Sequence, residues 1–293
     1  MKLSIRHTTR YAFSQPVTHA LQRLRLTPKA TQGQEILEWQ MGYENAHPEL
    51  QYDDEHFNTV TLVAVEPDAR EVAVTCTGIV ETRDNAGVIG QHSGHLPLWS
   101  FLCQTPLTKA GPAVRALIRE LPTPPADEAR LDYLHALSAL IRERVEYETG
   151  TSDAGTSAEE AAGEGKGVCQ DHAHIFLSAA RAVNIPARYV SGYLMMDDRI
   201  EQDATHAWTE AHIDGLGWVG FDISNGISPD PRYVRVATGR DFRDAAPLNV
   251  HTIGSAQQIL TVKENVEVEN ESAPVLQTQS QVQPASGSDQ KQQ

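Results

Sequence analysis

Part-way along this chain the apolar residues change period, from two to between three and four, and that change restricts the fold more than any other feature. Over residues 3–13, Leu3, Ile5, Tyr11 and Phe13 fall on one side of an extended chain, with His7 and Thr9 interrupting them. Residues 59–65 and 72–80 repeat the signature. Val72, Val74, Cys76, Gly78 and Val80 share a face, which makes Cys76 a small buried apolar residue. Glu66-Pro67-Asp68-Ala69 between the two runs is turn chemistry, so they are expected to pair as a β-hairpin. With further strands at 21–26 and 36–43, residues 1–95 are expected to form an antiparallel β-sandwich domain.

The period then lengthens. Between 84 and 125 glycine, proline and short polar runs mark a connection with one short helix at 112–121, and a domain boundary falls there. Leu131, Leu134, Leu137, Ile141 and Val145 then recur at helical spacing over 128–147. A loop rich in glycine, alanine and glutamate, 150–167, enters a helix at 169–183 that Asn184-Ile185-Pro186 ends. Strands follow at 188–194, 204–213, 218–223 and 258–268. Helices followed by strands indicate an α+β domain over 96–268, with helices packed on an antiparallel sheet. Residues 269–293 are rich in Gln, Ser, Asn and Glu and are expected to be a disordered polar tail.

Composition removes some function classes. Lys and Arg number 24 against 39 Asp and Glu, a net charge of −15 that disfavours nucleic acid and anionic membrane surfaces. No apolar run nears the roughly 20 residues of a membrane helix, and the first residues lack a signal-peptide core. The expected location is cytoplasmic. Cys76, Cys103 and Cys169 are too few and too scattered for a disulfide framework, so free thiols are expected.

One thiol stands apart. Cys169 follows Gly165-Lys166-Gly167-Val168, a flexible loop entering a helix, which puts its sulfur at the positive end of the helix dipole. Such a position favours a thiolate, and free N–H groups at a helix start can face a developing oxyanion. Further on, strand alternation groups His206, Trp208, Glu210 and His212 on one face, with Ala207, Thr209, Ala211 and Ile213 on the other, better suited to pack inward. If the turn at Asp214-Gly215-Leu216 is odd in length, Ile213 opposes Gly217, Trp208 opposes Asp222, and Asp222 lies diagonal to His206. An even turn would put His206 and Asp222 on opposite faces. A carboxylate beside an imidazole fixes its tautomer and supports the imidazolium, while the other ring nitrogen takes a thiol proton. Cys169, His206 and Asp222 are therefore the candidate triad.

Four blocks make the likeness specific: Gly167-Val168-Cys169-Gln170-Asp171, Ile185-Pro186-Ala187-Arg188-Tyr189-Val190-Ser191-Gly192-Tyr193, His206-Ala207-Trp208 and Gly217-Trp218-Val219-Gly220-Phe221-Asp222. In this order they resemble the core of the bacterial transglutaminase-like family. Gly239-Arg240-Asp241-Phe242, with Asp244 and Pro247, resembles a further family block, and residues 1 to about 80 resemble the β-domain that often precedes the core. The resemblance implies a papain-like fold with Cys169 as nucleophile, His206 as base and Asp222 as its orienting partner. It departs from the family where Gln170, Asp171 and His172 follow the cysteine in place of arginine, aspartate and an aromatic, and where Ile223 replaces a common proline.

The chemistry implied is a thioester formed from a glutamine amide or a peptide carbonyl. An amine acceptor would make the enzyme a transglutaminase and water would make it a protease or amidase; the three residues serve both. Trp208, Trp218 and Tyr193 are candidate cleft walls for a protein or peptide substrate, with aromatic packing as their other reading. Two rivals compete. A metal site drawn from Cys169, His172, His174, His206 and His212 is disfavoured by spacing, since Cys169 and His172 share a helix face that His174 does not. No acidic, glycine-centred calcium loop occurs either, so no metal or cofactor is expected. A non-catalytic binding scaffold on the same fold is disfavoured by the intact triad. The glutamine-rich tail is also a conceivable acyl donor. Oligomeric state is not legible.

Overall fold

The alternating segments of the first 82 residues build two antiparallel sheets that share a core. The computed structural model describes residues 1–17, 19–122, 129–195, 205–253, 258–268 and 281–284. Strands β1 (Lys2–Val17), β2 (His19–Leu24), β3 (Gln34–Glu44), β4 (Ala46–Asp53), β5 (Thr59–Val65) and β6 (Ala69–Thr82) divide between the sheets. One sheet runs β1-β6-β3 and the other β2-β5-β4. Along β1 buried and exposed residues alternate over most of its length, as a strand with one covered face requires. Tyr11, Phe13, Val17, Ala20, Val65 and Val72 pack between the sheets, and Leu24, Leu26, Val63, Val74 and Cys76 form a second cluster. Burying each of the larger side chains contributes roughly 1.5–3 kcal/mol. Cys76 is fully buried, as its place in the alternation demands.

The expected hairpin between residues 59 and 80 does not form. β5 pairs with β2 and β4, whereas β6 pairs with β1 and β3, so the turn crosses from one sheet to the other. Asp68, in the left-handed region at φ 63, makes that crossing, and its N–H donates to Val17 O at 3.0 Å. Turn chemistry sets the reversal and leaves the choice of sheet to the core.

The second set of elements is β7 (Val88–Gly90), a 3-10 turn at Leu98–Leu102, α1 (Pro112–Glu120), α2 (Arg130–Arg144), β8 (Glu146–Tyr147), α3 (Ala158–Glu164), β9 (Lys166–Gly167) and α4 (Cys169–Ala182). It continues with β10 (Ala187–Leu194), β11 (His206–Ile213), β12 (Gly217–Phe221), β13 (Tyr233–Gly239) and the short α5 (Phe242–Ala245). Its sheet is antiparallel in the order β13-β10-β11-β12-β7. α4 lies on one face. Ala173, Phe176 and Ala180 pack in one core with Ala207, Ala211, Ile213, Val219 and Phe221, so the small side of β11 faces the helix. The segment read as a plain loop at 150–167 contains α3, whose Ser157 and Glu160 form a reciprocal capping box.

The other face of β11 is buried as well. Two side-chain amides of the sandwich region close the edge of β13. Gln34 accepts from the Arg235 N–H and donates to its carbonyl, both at 2.8 Å. Asn58 does the same for Thr238, again at 2.8 Å for both bonds. Each amide replaces the peptide group of a missing neighbouring strand.

After α5 the chain returns to the sandwich. β14 (Leu248–Ile253) pairs with β2 and β15 (Gln258–Val268) with β1, placing Leu3 opposite Val268. Conversely β7, which precedes residue 95, pairs with β12 in the core sheet. The sheets therefore cross the division at residue 95 in both directions. Most of the polar tail, 269–293, lies outside the described residues. Among the described residues no helix is long and apolar enough to cross a membrane.

Candidate active site

Cys169 is the first residue of α4, half-buried like Gln170, with Asp171 and His172 of the first turn fully buried. The approach is held on both sides. β9 pairs with β8 in parallel, and the Asp171 carboxylate reaches back to accept from the Val168 N–H at 2.8 Å. Asp171 Oδ2 also accepts from the Ser152 hydroxyl at 2.5 Å. A side chain at Gly167 would meet Asp171 Cβ at 2.7 Å, so only glycine lets the loop pass this carboxylate. Burial pushes the Asp171 carboxyl up from its ordinary value, with the two hydrogen bonds opposing.

β11 and β12 are joined by the three residues 214–216, and Ile213 opposes Gly217 with His212 opposite Trp218. This is the odd-turn register. It brings His206, the first residue of β11, against Asp222, just past β12, with Nε2 to Oδ2 at 2.6 Å. Cys169 lies near enough to the same imidazole to favour its charge. With Nε2 committed to Asp222, Nδ1 is the nitrogen left for sulfur. The structure thus brings together all three residues singled out in the sequence.

Asp222 is completely buried and its charge is saturated with donors. Oδ2 accepts from Tyr233 Oη at 2.6 Å and Asn225 Nδ2 at 2.7 Å in addition to His206, and Oδ1 accepts from the Asn225 N–H at 3.1 Å. Burial alone would raise its carboxyl, but the His206 charge and these hydrogen bonds outweigh it and hold it at about 2. Burial likewise opposes charge on His206, and the Asp222 carboxylate, followed by Cys169, overrides it and lifts the imidazole to about 10. His206 is an imidazolium at neutral pH on this arrangement.

Two further contacts fix the Asp222 loop. The Asp222 N–H donates to Ile227 O at 2.9 Å, and the Gly226 N–H donates to Asp222 O at 2.8 Å. His172, one turn along from Cys169, donates Nε2–H to Val145 O at 3.0 Å and accepts from the Ser224 hydroxyl at Nδ1, 2.9 Å. Burial lowers its pKa, consistent with that neutral tautomer. The helix bearing the cysteine and the loop bearing the aspartate are therefore pinned to each other. Tyr233 and Asn225 were not singled out in the sequence: Asn225 lies in a loop and Tyr233 begins a strand whose partner is remote in sequence.

The three aromatic residues expected to line a cleft are placed in packing. Trp208 is 2% exposed and lies between His206 and Tyr233, at centroid distances of 6.1 and 5.4 Å. Trp218 is at the far end of β12 beneath the Arg188 guanidinium, 3.9 Å from its ring centroid. Tyr193 is buried against His7 and Trp39 of the sandwich. Only Trp208 touches the triad, and it supports the histidine from behind. His174, weighed as a metal ligand, instead accepts from the Phe242 N–H and packs at a tilt against Tyr189. Among the described residues no cluster of three or more potential ligands occurs.

A helix that starts on a cysteine and lies on an antiparallel sheet, whose strand ends carry a paired histidine and aspartate, defines the transglutaminase-like class of cysteine-enzyme folds. Residues 3–81 match the bacterial transglutaminase-like N-terminal region and residues 115–223 match the core of the transglutaminase-like superfamily. The chain belongs to this family, in its two-part bacterial form. Among its relatives, uncharacterized protein ML0607 of Mycobacterium leprae is 27% identical over 260 residues, covering 84% of this chain and 91% of that protein. Uncharacterized protein Rv2569c of Mycobacterium tuberculosis is 28% identical over 267 residues, covering 83% and 85% respectively. A crystal structure from Cytophaga hutchinsonii, described as a candidate cysteine protease, superposes with a TM-score of 0.73 at 22% identity over 97% of this chain and 98% of that one. That likeness is one of fold.

Proposed function

We propose that this protein is a cysteine acyl-transfer enzyme in which Cys169 is the nucleophile, His206 the acid and base, and Asp222 its orienting partner. The observation that carries the reading is one imidazole set between two groups: Asp222 at 2.6 Å on Nε2, and Cys169 near enough to the same ring to favour its charge. An imidazolium beside a cysteine stabilises the thiolate without a separate activation step.

In the proposed reaction the thiolate attacks the carbonyl carbon of a glutamine side-chain amide or a peptide bond. The carbonyl oxygen gathers negative charge near the N–H groups at the start of α4. The C–N bond then breaks, the His206 proton passes to the leaving nitrogen, and a thioester remains on Cys169. In the second half the acceptor, a primary amine or water, gives a proton to His206, forms the new bond to the acyl carbon and expels the thiolate. Both halves use the same three residues. The substrate is a protein or peptide, and no cofactor enters either half. The three free cysteines support placing the enzyme in the reducing cytoplasm.

The test incubates wild-type protein and Cys169→Ala with a glutamine peptide and a primary amine, following ammonia release and amine incorporation by mass. Activity is expected from the wild type only. Incorporation identifies amine as acceptor, and ammonia or cleavage without incorporation identifies water. Equal signals from both proteins would overturn the enzyme reading.

A further inference from the structure

A cluster of cations lies at the opposite end of α4 from Cys169. α4 has 14 residues, and at about 1.5 Å per residue its last turn is roughly 20 Å from its first. There the loop around Gln104–Ala110, one face of α1 and the end of α4 enclose an open groove of about 1040 Å³. Lys109, Arg115, Arg119 and Arg181 line it, with Pro106 and Ile118 among its apolar surfaces. Among the described residues no acidic side chain lines it.

The local structure explains why the cations converge. Arg115, Ile118 and Arg119 stand at i, i+3 and i+4 on α1, so they share the face turned away from buried Val114 and Leu117. The helix's own N-terminal N–H groups are already satisfied. The Glu159 carboxylate accepts from Gly111, Ala113 and Val114 at 2.9, 2.7 and 3.1 Å. Positive potential in the groove therefore comes from side chains alone.

Arg181 is the unusual member. It is 5% exposed, and its guanidinium bonds only neutral oxygens: the carbonyls of Phe101, Ala187 and Arg240 and the hydroxyl of Thr108. Among the described residues no carboxylate lies within ion-pair distance of Arg181, Lys109, Arg115 or Arg119. Burial lowers its pKa to about 10, opposed by the nearby Asp241 and Asp244 carboxylates, neither of which pairs with it directly. Four cations with no ion-pair partner among the described residues line one groove of a chain of net charge −15.

We infer that this groove docks an acidic, extended polypeptide segment of a partner protein, with Arg115 and Arg119 at the rim, Lys109 beside them and Arg181 at the floor. Size argues for a polypeptide over a small anion, since the volume is at the upper end of what whole ligands occupy. The apolar surfaces argue the same way, because alternate residues of an extended segment can place carboxylates on the arginines and apolar groups on Ile118 and Pro106. A segment seated here lies on the same helix as Cys169, within reach of about six extended residues. The inference goes beyond acyl transfer and does not depend on it.

Binding is measured by fluorescence anisotropy with full-length Cys169→Ala protein, so that no turnover intervenes. The probe is a short fluorescein-labelled peptide in which glutamates alternate with alanine and leucine. Saturable binding that weakens with salt is expected, reduced about tenfold or more in Arg115→Glu/Arg119→Glu and unchanged in Arg70→Glu, an exposed reversal on the sandwich. Circular dichroism and thermal unfolding of each variant check that the fold survives at these exposed positions. A peptide with lysine in place of glutamate should not bind. Equal binding to the double variant, binding of the lysine peptide, or no binding to folded wild-type protein would each overturn the inference. Displacement by inorganic phosphate, at an ionic strength where chloride does not displace, would overturn it in favour of a small-anion site.

Discussion

Replacing Asp222 by asparagine should remove the charge from His206 while leaving its packing in place. The imidazole sits at about 10 against an ordinary 6.5, with burial opposing the charge and Asp222 supplying the largest favourable influence. That elevation corresponds to roughly 5 kcal/mol in favour of the imidazolium, at about 1.4 kcal/mol per pH unit. Asparagine keeps the shape and can still accept from Tyr233, so burial takes over and the imidazole should titrate below about 7. The assay is a titration of the imidazole Cε1–H by NMR, assigned against His206→Gln. Linkage gives a second readout. Because the folded value lies above the unfolded one, the His206 contribution to stability is present below about 6.5 and is lost as pH rises through about 10. Urea unfolding of the wild type should therefore weaken over that window, and the variant should lack this part of the decline. On the acid side the Asp222 carboxyl is held at about 2, so the same ion pair contributes above about 4 and is lost as pH falls through about 2. An Asp222→Asn protein whose His206 still titrates above about 8.5 would refute the assignment of the charge to Asp222.

Three further perturbations probe the support around the site. Tyr233→Phe deletes a 2.6 Å hydrogen bond to a buried carboxylate and should cost about 1.5–3 kcal/mol in urea unfolding; a loss under about 0.5 kcal/mol would show that the hydroxyl is idle. Gln34→Leu leaves the Arg235 N–H without a partner, while its carbonyl keeps the Lys29 N–H at 3.2 Å, and should destabilise by about 1–3 kcal/mol, with faster exchange at the Arg235 amide as the local signature. Gly192→Ala would push a methyl to 2.1 Å from Val234 O and 2.6 Å from Trp208, and overpacking of about 1–3 kcal/mol or more should appear as a lowered melting temperature.

The meeting of His206 and Asp222 was legible because strand period and turn length are local quantities. A three-residue turn fixes Ile213 opposite Gly217, and every later pairing follows by counting. Cys169 was legible for a similar reason, since glycines before a helical run mark a helix start. What failed was long-range. The residues at 66–68 are turn formers, but nothing in them says that β5 and β6 belong to different sheets. Nor does a local pattern say that β15 crosses the whole sequence to lie on β1. α3 is a different case, for the Ser157 and Glu160 spacing was available and signals a capped helix. Tyr233 and Asn225 reach Asp222 through pairings that only the assembled sheet creates. Trp218 and Tyr193 show the reverse: aromatic residues inside a family-like block serve packing, because both faces of their sheet are covered.

The amides of Gln34 and Asn58 give the sandwich a role akin to that of a bookend. β13 is the last strand of its sheet, and an open strand edge recruits whatever strand is nearest, including another copy of itself. The amides end the row without offering a new edge. Excised as a fragment, the half that carries the candidate triad would have an exposed row of peptide groups and should self-associate. For this chain the β-domain is part of what closes the strand edge of its enzyme-like half.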